Sequence, residues 1–219
     1  MGKLAIIFSL AFLLMLNFET NAMGQNEIPA HITMHQYGSS AGENYGIKFE
    51  ISGPEAKDVS KVLIETPDRK KLSFQNNLQF DTFLFSRDGM SFVEFKRRFP
   101  EGVYEINLTP KRYGRFKMNM TYNFPDVVIT SPVDGATGVS LDPLIQWEPL
   151  SNISNLSLTV RSAFSEYGFG LSVGDTSFAA GYNYLMPDTA YDLSLEATTT
   201  DFEGNALVST YTISFATSK

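Results

Sequence analysis

Residues 189–200, TAYDLSLEATTT, carry Tyr191, Leu193, Leu195 and Ala197 at every second position, with mostly polar residues between them. A period of two puts successive side chains on opposite faces, the arrangement of a half-buried β-strand rather than a helix. The same grammar continues on both sides. NLSLTVRSAF (155–164) sets Leu156, Leu158 and Val160 against Ser157, Thr159 and Arg161, and LVSTYTISFAT (207–217) follows a DFEGNA turn at 201–206. PLIQWEP (143–149) is a short strand bounded by prolines, and the glycine-punctuated run 167–185 holds two strands meeting near Gly174 and Asp175. Seven short strands in about 90 residues is the count expected of a two-sheet sandwich.

The first half reads similarly. YGIKFEI (45–51) places Ile47, Phe49 and Ile51 on one face and stops at Gly53 and Pro54, while SKVLIET (60–66) precedes a PDRKK turn and LSF at 72–74. MSFVEFKRRF (90–99) is expected as a strand with one core face. EGVYEINLT (101–109) sets Tyr104, Ile106 and Leu108 in phase, and RFKMNMTYNF (115–124) aligns Phe116, Met118, Met120, Tyr122 and Phe124 before Pro125. Almost nothing in the chain has helical periodicity, so the expected fold class is all-β.

The N-terminus reads as an export signal. Lys3 precedes an apolar run of roughly 13 residues, Leu4 to Leu16, and TNA at 20–22 offers the small residues of a cleavage site, with AMG at 22–24 an equal alternative. The run is shorter than the ~20 residues needed to span a bilayer, and no later segment is apolar enough. Residues 1–22 are therefore expected to be a cleaved signal peptide, and the mature chain to be secreted or periplasmic with no transmembrane segment. The chain has no cysteine, unlike disulfide-rich small secreted domains, which points to a bacterial envelope or extracellular protein.

Charge divides the remainder. From Met23 to Pro125, 14 Lys and Arg stand against 12 Asp and Glu, a net of +2; from Asp126 onward two basic residues face 11 acidic ones, a net of −9. The expected division is a β-sandwich domain at 27–125 and a second at 126–219, with SPVDGATGVSLDPLIQW (131–147) as the entrance to the second.

LMPDTAYDLSLEA (185–197) resembles the leucine-x-proline-x-threonine-x-tyrosine pattern of fibronectin type III domains, and Trp147 stands where those domains carry their second-strand tryptophan. The closing DFEGNALVSTYTISFAT is similar to the final hairpin of bacterial immunoglobulin-like repeats. The resemblance covers about 126–219. It implies a two-sheet sandwich in which Trp147 packs between the sheets and Tyr191 ties its hydroxyl back to nearby backbone, a tyrosine corner. KVLIETPDRKKLSF and FPEGVYEINL look only generically like sandwich repeats of exported bacterial proteins, and that likeness carries no site. The expected whole is thus two tandem immunoglobulin-like or fibronectin type III-like β-sandwiches after the signal peptide.

Catalytic motifs are missing from the sequence. There is no cysteine nucleophile, no G-x-S-x-G elbow and no phosphate-cradling glycine loop, and the histidines are His31 and His35 alone. In an extended segment those two imidazoles stand ~13 Å apart, too far for one zinc ion with ligands at ~2 Å. Asp201 and Glu203 sit in a turn, with Asp175 in another, and either turn geometry or calcium binding explains them. Basic clusters at 69–71, 96–98 and 111–117 suit either an anionic ligand or a solvated face neutralised by Asp68, Glu94 and Glu101. Tyr167, Phe169, Tyr182 and Tyr184 are the candidate ligand-binding residues, as sugar-stacking platforms or as plain packing.

No catalytic residue, metal ligand or cofactor is expected, and export with a pI near 4.9 disfavours nucleic acid. The expected function is a non-enzymatic exported binding, adhesion or envelope-structural protein with an unknown protein or glycan partner. A carbohydrate-binding accessory protein is the alternative, and an enzyme of unrecognised type the remote one.

Overall fold

The structure is a computed structural model that describes residues 30–52, 56–75, 82–111, 115–181, 183–200 and 205–219. The export signal, Gly53, Pro54, Arg112, Tyr182, Asp201 and Glu203 lie outside the described residues. The first half contains β1 (Ala30–Ser39), β2 (Gly42–Ser52), β3 (Lys61–Glu65), β4 (Lys71–Gln75), β5 (Thr82–Met90), α1 (Phe92–Arg98), β6 (Gly102–Thr109) and β7 (Arg115–Met120). The second contains β8 (Ile129–Ser131), β9 (Ala136–Val139), β10 (Leu144–Trp147), β11 (Asn155–Arg161), β12 (Glu166–Leu171), β13 (Ser177–Ala179), β14 (Ala190–Thr200) and β15 (Ala206–Thr217).

The two halves repeat one topology. In the first, β1-β2-β5 face β4-β3-β6-β7; in the second, β8-β10-β13 face β12-β11-β14-β15. With the short β9 set aside, which pairs with β15, the first, second and fifth strands of each half make one sheet and the remaining four the other, an immunoglobulin-like two-sheet arrangement. Each half has its own hydrophobic cluster. Ile47, Phe49, Ile64, Tyr104 and Ile106 belong to the first, and Ile145, Trp147, Leu158, Leu193 and Phe215 to the second.

Two stretches of the first half depart from the alternation reading. Residues 92–98 are a helix, not a strand. Ser91 caps it by accepting the Glu94 N–H at 3.3 Å, Glu94 pairs with Arg98 one turn on, and Phe92, Phe95 and Phe99 recur at spacings of three and four. Phe95 is fully buried against Tyr45, Phe99, Tyr122 and Phe124. The row expected over 115–124 stops at Met120. Tyr122 donates its hydroxyl to the Phe99 carbonyl and its N–H to Glu101, which draws the chain onto the helix end. β5, whose pattern is weak, had no counterpart among the expected strands.

The halves are joined through their sheets. β1 runs parallel to β15, from Thr33 opposite Ala206 to Ser39 opposite Thr212, so β12, β11, β14, β15, β1, β2 and β5 form, in that order, one continuous sheet. Leu207 packs against the first core and Tyr211 against the second. Ser209 donates to Gln36 at 3.1 Å, and Gln36 donates to Tyr45. Ser40, at the tip of the β1–β2 hairpin, hydrogen-bonds the Asp134 carboxylate of the second half and helps hold it below its ordinary pKa. The Tyr211 ring lies so close to Gly38 that a Cβ there would stand 2.8 Å from its Cδ2. Gly38→Val is expected to lower stability by about 1–3 kcal/mol through that overlap, read by denaturant unfolding, with faster amide exchange over 206–212.

His35 lies on the opposite face of β1, stacked on Tyr37 at 5.6 Å between centroids. Burial lowers its pKa from the ordinary value of 6.5; Asp88 and Glu196 oppose the shift, and Lys48 adds to it. A histidine with a depressed pKa is held neutral in the fold, so the unfolded chain binds more protons as pH falls through the ordinary range. Melting temperature is therefore expected to drop on acidification below about pH 6.5, and His35→Gln is expected to flatten that part of the profile.

Candidate functional site

Three buried rings brace the sandwiches. Trp147 is 3% exposed and donates its indole N–H to the Asp175 carbonyl at 2.9 Å, so it ties β10 to the turn before β13. The Tyr191 hydroxyl accepts the Met186 N–H at 2.8 Å, and its ring stacks on Phe215. Tyr104 does the corresponding work in the first half, donating its hydroxyl to the Pro100 carbonyl at 2.8 Å. Pro100 precedes Tyr104 by the same four residues as Pro187 precedes Tyr191. In the sequence this second corner is marked by the proline-to-tyrosine spacing alone.

These braces aim three loops of the second half at one end of the sandwich. Arg161 pairs with Asp192 and Asp192 with Ser214, whose carbonyl accepts the Gly135 N–H at 2.7 Å. That register places the loop after β8 and the loop between β11 and β12 at the same end, two strands apart. The Met186–Tyr191 bond sets the loop before β14 at the same end. Exposed Val133 stands on the first of these loops, Phe164 on the second, and Tyr184 and Met186 on the third.

Phe164 is 83% exposed, the most exposed large apolar side chain among the described residues. The expected strand 155–164 ends at Arg161, because Ser162 turns the chain. Its hydroxyl oxygen accepts the N–H groups of Phe164 and Ser165 at 3.2 and 3.1 Å, and its own N–H donates to the Ser165 carbonyl. An ion pair between Arg161 and Glu166 closes the base of the hairpin. The loop is thus held in one shape while its aromatic tip projects into water.

The remaining candidates group around this pole and elsewhere. Tyr167 meets Tyr184 edge-on at 72°, Phe169 meets Tyr184 at 89°, and Phe169 packs on Phe178. These described rings form a corner that closes one side of the sandwich, with no shared plane on which a sugar face would rest. The turn carboxylates serve the backbone: Asp134 accepts the Ser214 N–H, Asp142 the Gly181 N–H and Asp175 the Ser172 N–H. Among the described residues no group of three His, Asp or Glu converges as a metal site.

The basic clusters are mostly paired. Lys70 meets Asp68 at 2.6 Å and Arg98 meets Glu94 at 2.8 Å, while Glu105 holds Arg115 and Lys117. Glu101 accepts the Tyr122 N–H. A shallow depression of 670 Å³ on the outer face of β3, β6 and β7 is lined by Lys61, Glu65, Glu105, Lys111 and Arg115, so both signs of charge share it.

The chain is similar to fibronectin type III structures. It aligns with the FN1–FN3 domains of chicken CNTN1 (contactin) at 13% identity and a TM-score of 0.32, over 85% of this chain and 64% of that one. It also aligns with a two-domain fibronectin type III segment of chicken tenascin at 11% identity and a TM-score of 0.32, over 80% of this chain and 92% of that one. The chain thus spans somewhat less than two thirds of the contactin structure's length. No protein-family model and no curated protein matches it.

Tyr191→Phe orphans the Met186 N–H and Tyr104→Phe orphans the Pro100 carbonyl. Each is expected to cost about 1 kcal/mol or more in denaturant unfolding, and a neutral result would remove the corner as a brace.

Proposed function

We propose that this is a non-enzymatic exported binding or adhesion protein, released from its signal peptide at residues 1–22 and built as tandem sandwich domains at 27–125 and 126–219. The observation that carries the reading is the apolar pole of the second half. Water-exposed aromatic and aliphatic side chains on loops fixed by backbone hydrogen bonds are a contact surface in waiting. The rigid hairpin loses little further entropy when Phe164 enters a partner's pocket. The turn carboxylates Asp134, Asp142 and Asp175 are engaged by backbone N–H groups and Glu166 by Arg161, which suits a shape-holding role more than acid–base chemistry. No helix among the described residues is long and apolar enough to cross a membrane.

Between a protein partner and a sugar, the edge-on packing of Tyr167, Phe169 and Tyr184 favours protein. The test is saturable binding of the labelled exported protein to the envelope surface of its producing cells. Wild type is expected to saturate and be competed by unlabelled protein, and Phe164→Ala with Met186→Ala to lose about tenfold or more in affinity. Equal binding by the double variant would overturn the assignment of the pole.

A further inference from the structure

Phe164, 83% exposed, and Val93, 79% exposed, are the two most exposed large apolar side chains among the described residues, and they lie on opposite halves of the chain. Their settings carry opposite charge. Phe164 projects from the half with a net of −9, beside Glu166 and Asp192, and the one arginine there, Arg161, is held by Glu166. Val93 projects from α1 in the half with a net of +2. Next to it, the Lys96 ammonium sits 4.2 Å from the Phe92 ring centroid, and Arg97 has no carboxylate partner among the described residues. The turn carrying Arg69 and Lys70 adjoins the same helix, since the Lys70 ammonium donates to the Arg97 carbonyl at 3.4 Å.

We propose that the Phe164 pole of one copy docks on the α1 face of a second copy, head to tail. The chain carries both halves of the contact: an apolar knob on the acidic half, flanked by Glu166 and Asp192, and an apolar ledge flanked by Lys96 and Arg97. Opposite potentials steer such surfaces together, and apolar burial at the centre holds them. An anionic lipid surface is a poorer occupant for the pole, because no unpaired cation accompanies Phe164. The two patches are different surfaces, so the contact is heterologous and extends into open chains unless its rotation closes. This inference rests on the pole being a contact surface and names its partner.

Sedimentation of the protein purified in its exported form tests it. The average mass is expected to rise with concentration at low salt and to rise less at high salt, where exposed charges are screened. Phe164→Ser and Val93→Asp, both at exposed positions, are expected to keep the wild-type melting temperature and to weaken association about tenfold or more. Arg97→Glu gives an independent, charge-only version of the same loss. Mixed in equal amounts, Phe164→Ser and Val93→Asp are expected to form dimers and stop there. One copy still offers an intact helix face and the other an intact pole, so a single contact forms. A mixture that stays monomeric while wild type associates overturns the head-to-tail geometry. Wild type that is monomeric at every concentration overturns self-association, and the saturable cell-surface binding described above then remains as a separate measurement of the pole.

Discussion

The parallel ladder between β1 and β15 is the constraint on which the rest of the arrangement depends. Each strand would otherwise be an exposed sheet edge, with unpaired N–H and C=O groups open to other chains. Pairing the first strand of one sandwich with the last strand of the other covers both edges at once. It also places Leu207 in the first core and the Tyr211 ring over Gly38. The segment between the halves is spent on packing as well: Tyr122 and Phe124 lie against the α1 aromatics, and burial pushes the Tyr122 phenol up to about 12. The positions of α1 and of the acidic pole are therefore set by one sheet rather than by a loose tether.

Within that frame, polar groups largely serve geometry. Ser162, Asp134, Asp142 and Asp175 each accept backbone N–H groups and so fix loops rather than leaving reactive oxygens in a cleft. Among the described residues, several large apolar side chains are left facing water. Phe164, Val133 and Met186 are held facing water at one end, and Val93 faces water on the helix. The role proposed above is contact, with charge choosing the partner and apolar area supplying adhesion.

Much of the second half could be read from alternation. Tyr191, Leu193, Leu195 and Ala197 are all buried, as are Leu156, Leu158 and Val160, because a period of two survives wherever a strand has one wet face. Residues 90–99 misled for a local reason. A phenylalanine-rich run suits strand and helix alike, and the cap Ser91 with Glu94 decided for the helix. The second tyrosine corner was legible in the spacing of Pro100 and Tyr104 but lacks the flanking leucine and threonine of the 185–191 phrase. Among the candidate residues, Tyr167 and Phe169 both touch Tyr184. Their edge-on packing, however, depends on how β12 and β13 approach, which no pattern in the sequence encodes.

The sequence by itself determined the all-β class, most strand positions, the charge step and the two faces of each central strand, because these follow from local periodicity and composition. Only the tertiary structure decided that β1 and β15 share a sheet, that Phe164 projects rather than packs, and that an acidic apolar pole and a basic apolar helix stand on opposite halves. The shared sheet rests on pairings between residues more than a hundred positions apart. Backbone hydrogen bonding at a sheet edge is nearly indifferent to side-chain identity, so it leaves little trace in the order of the residues.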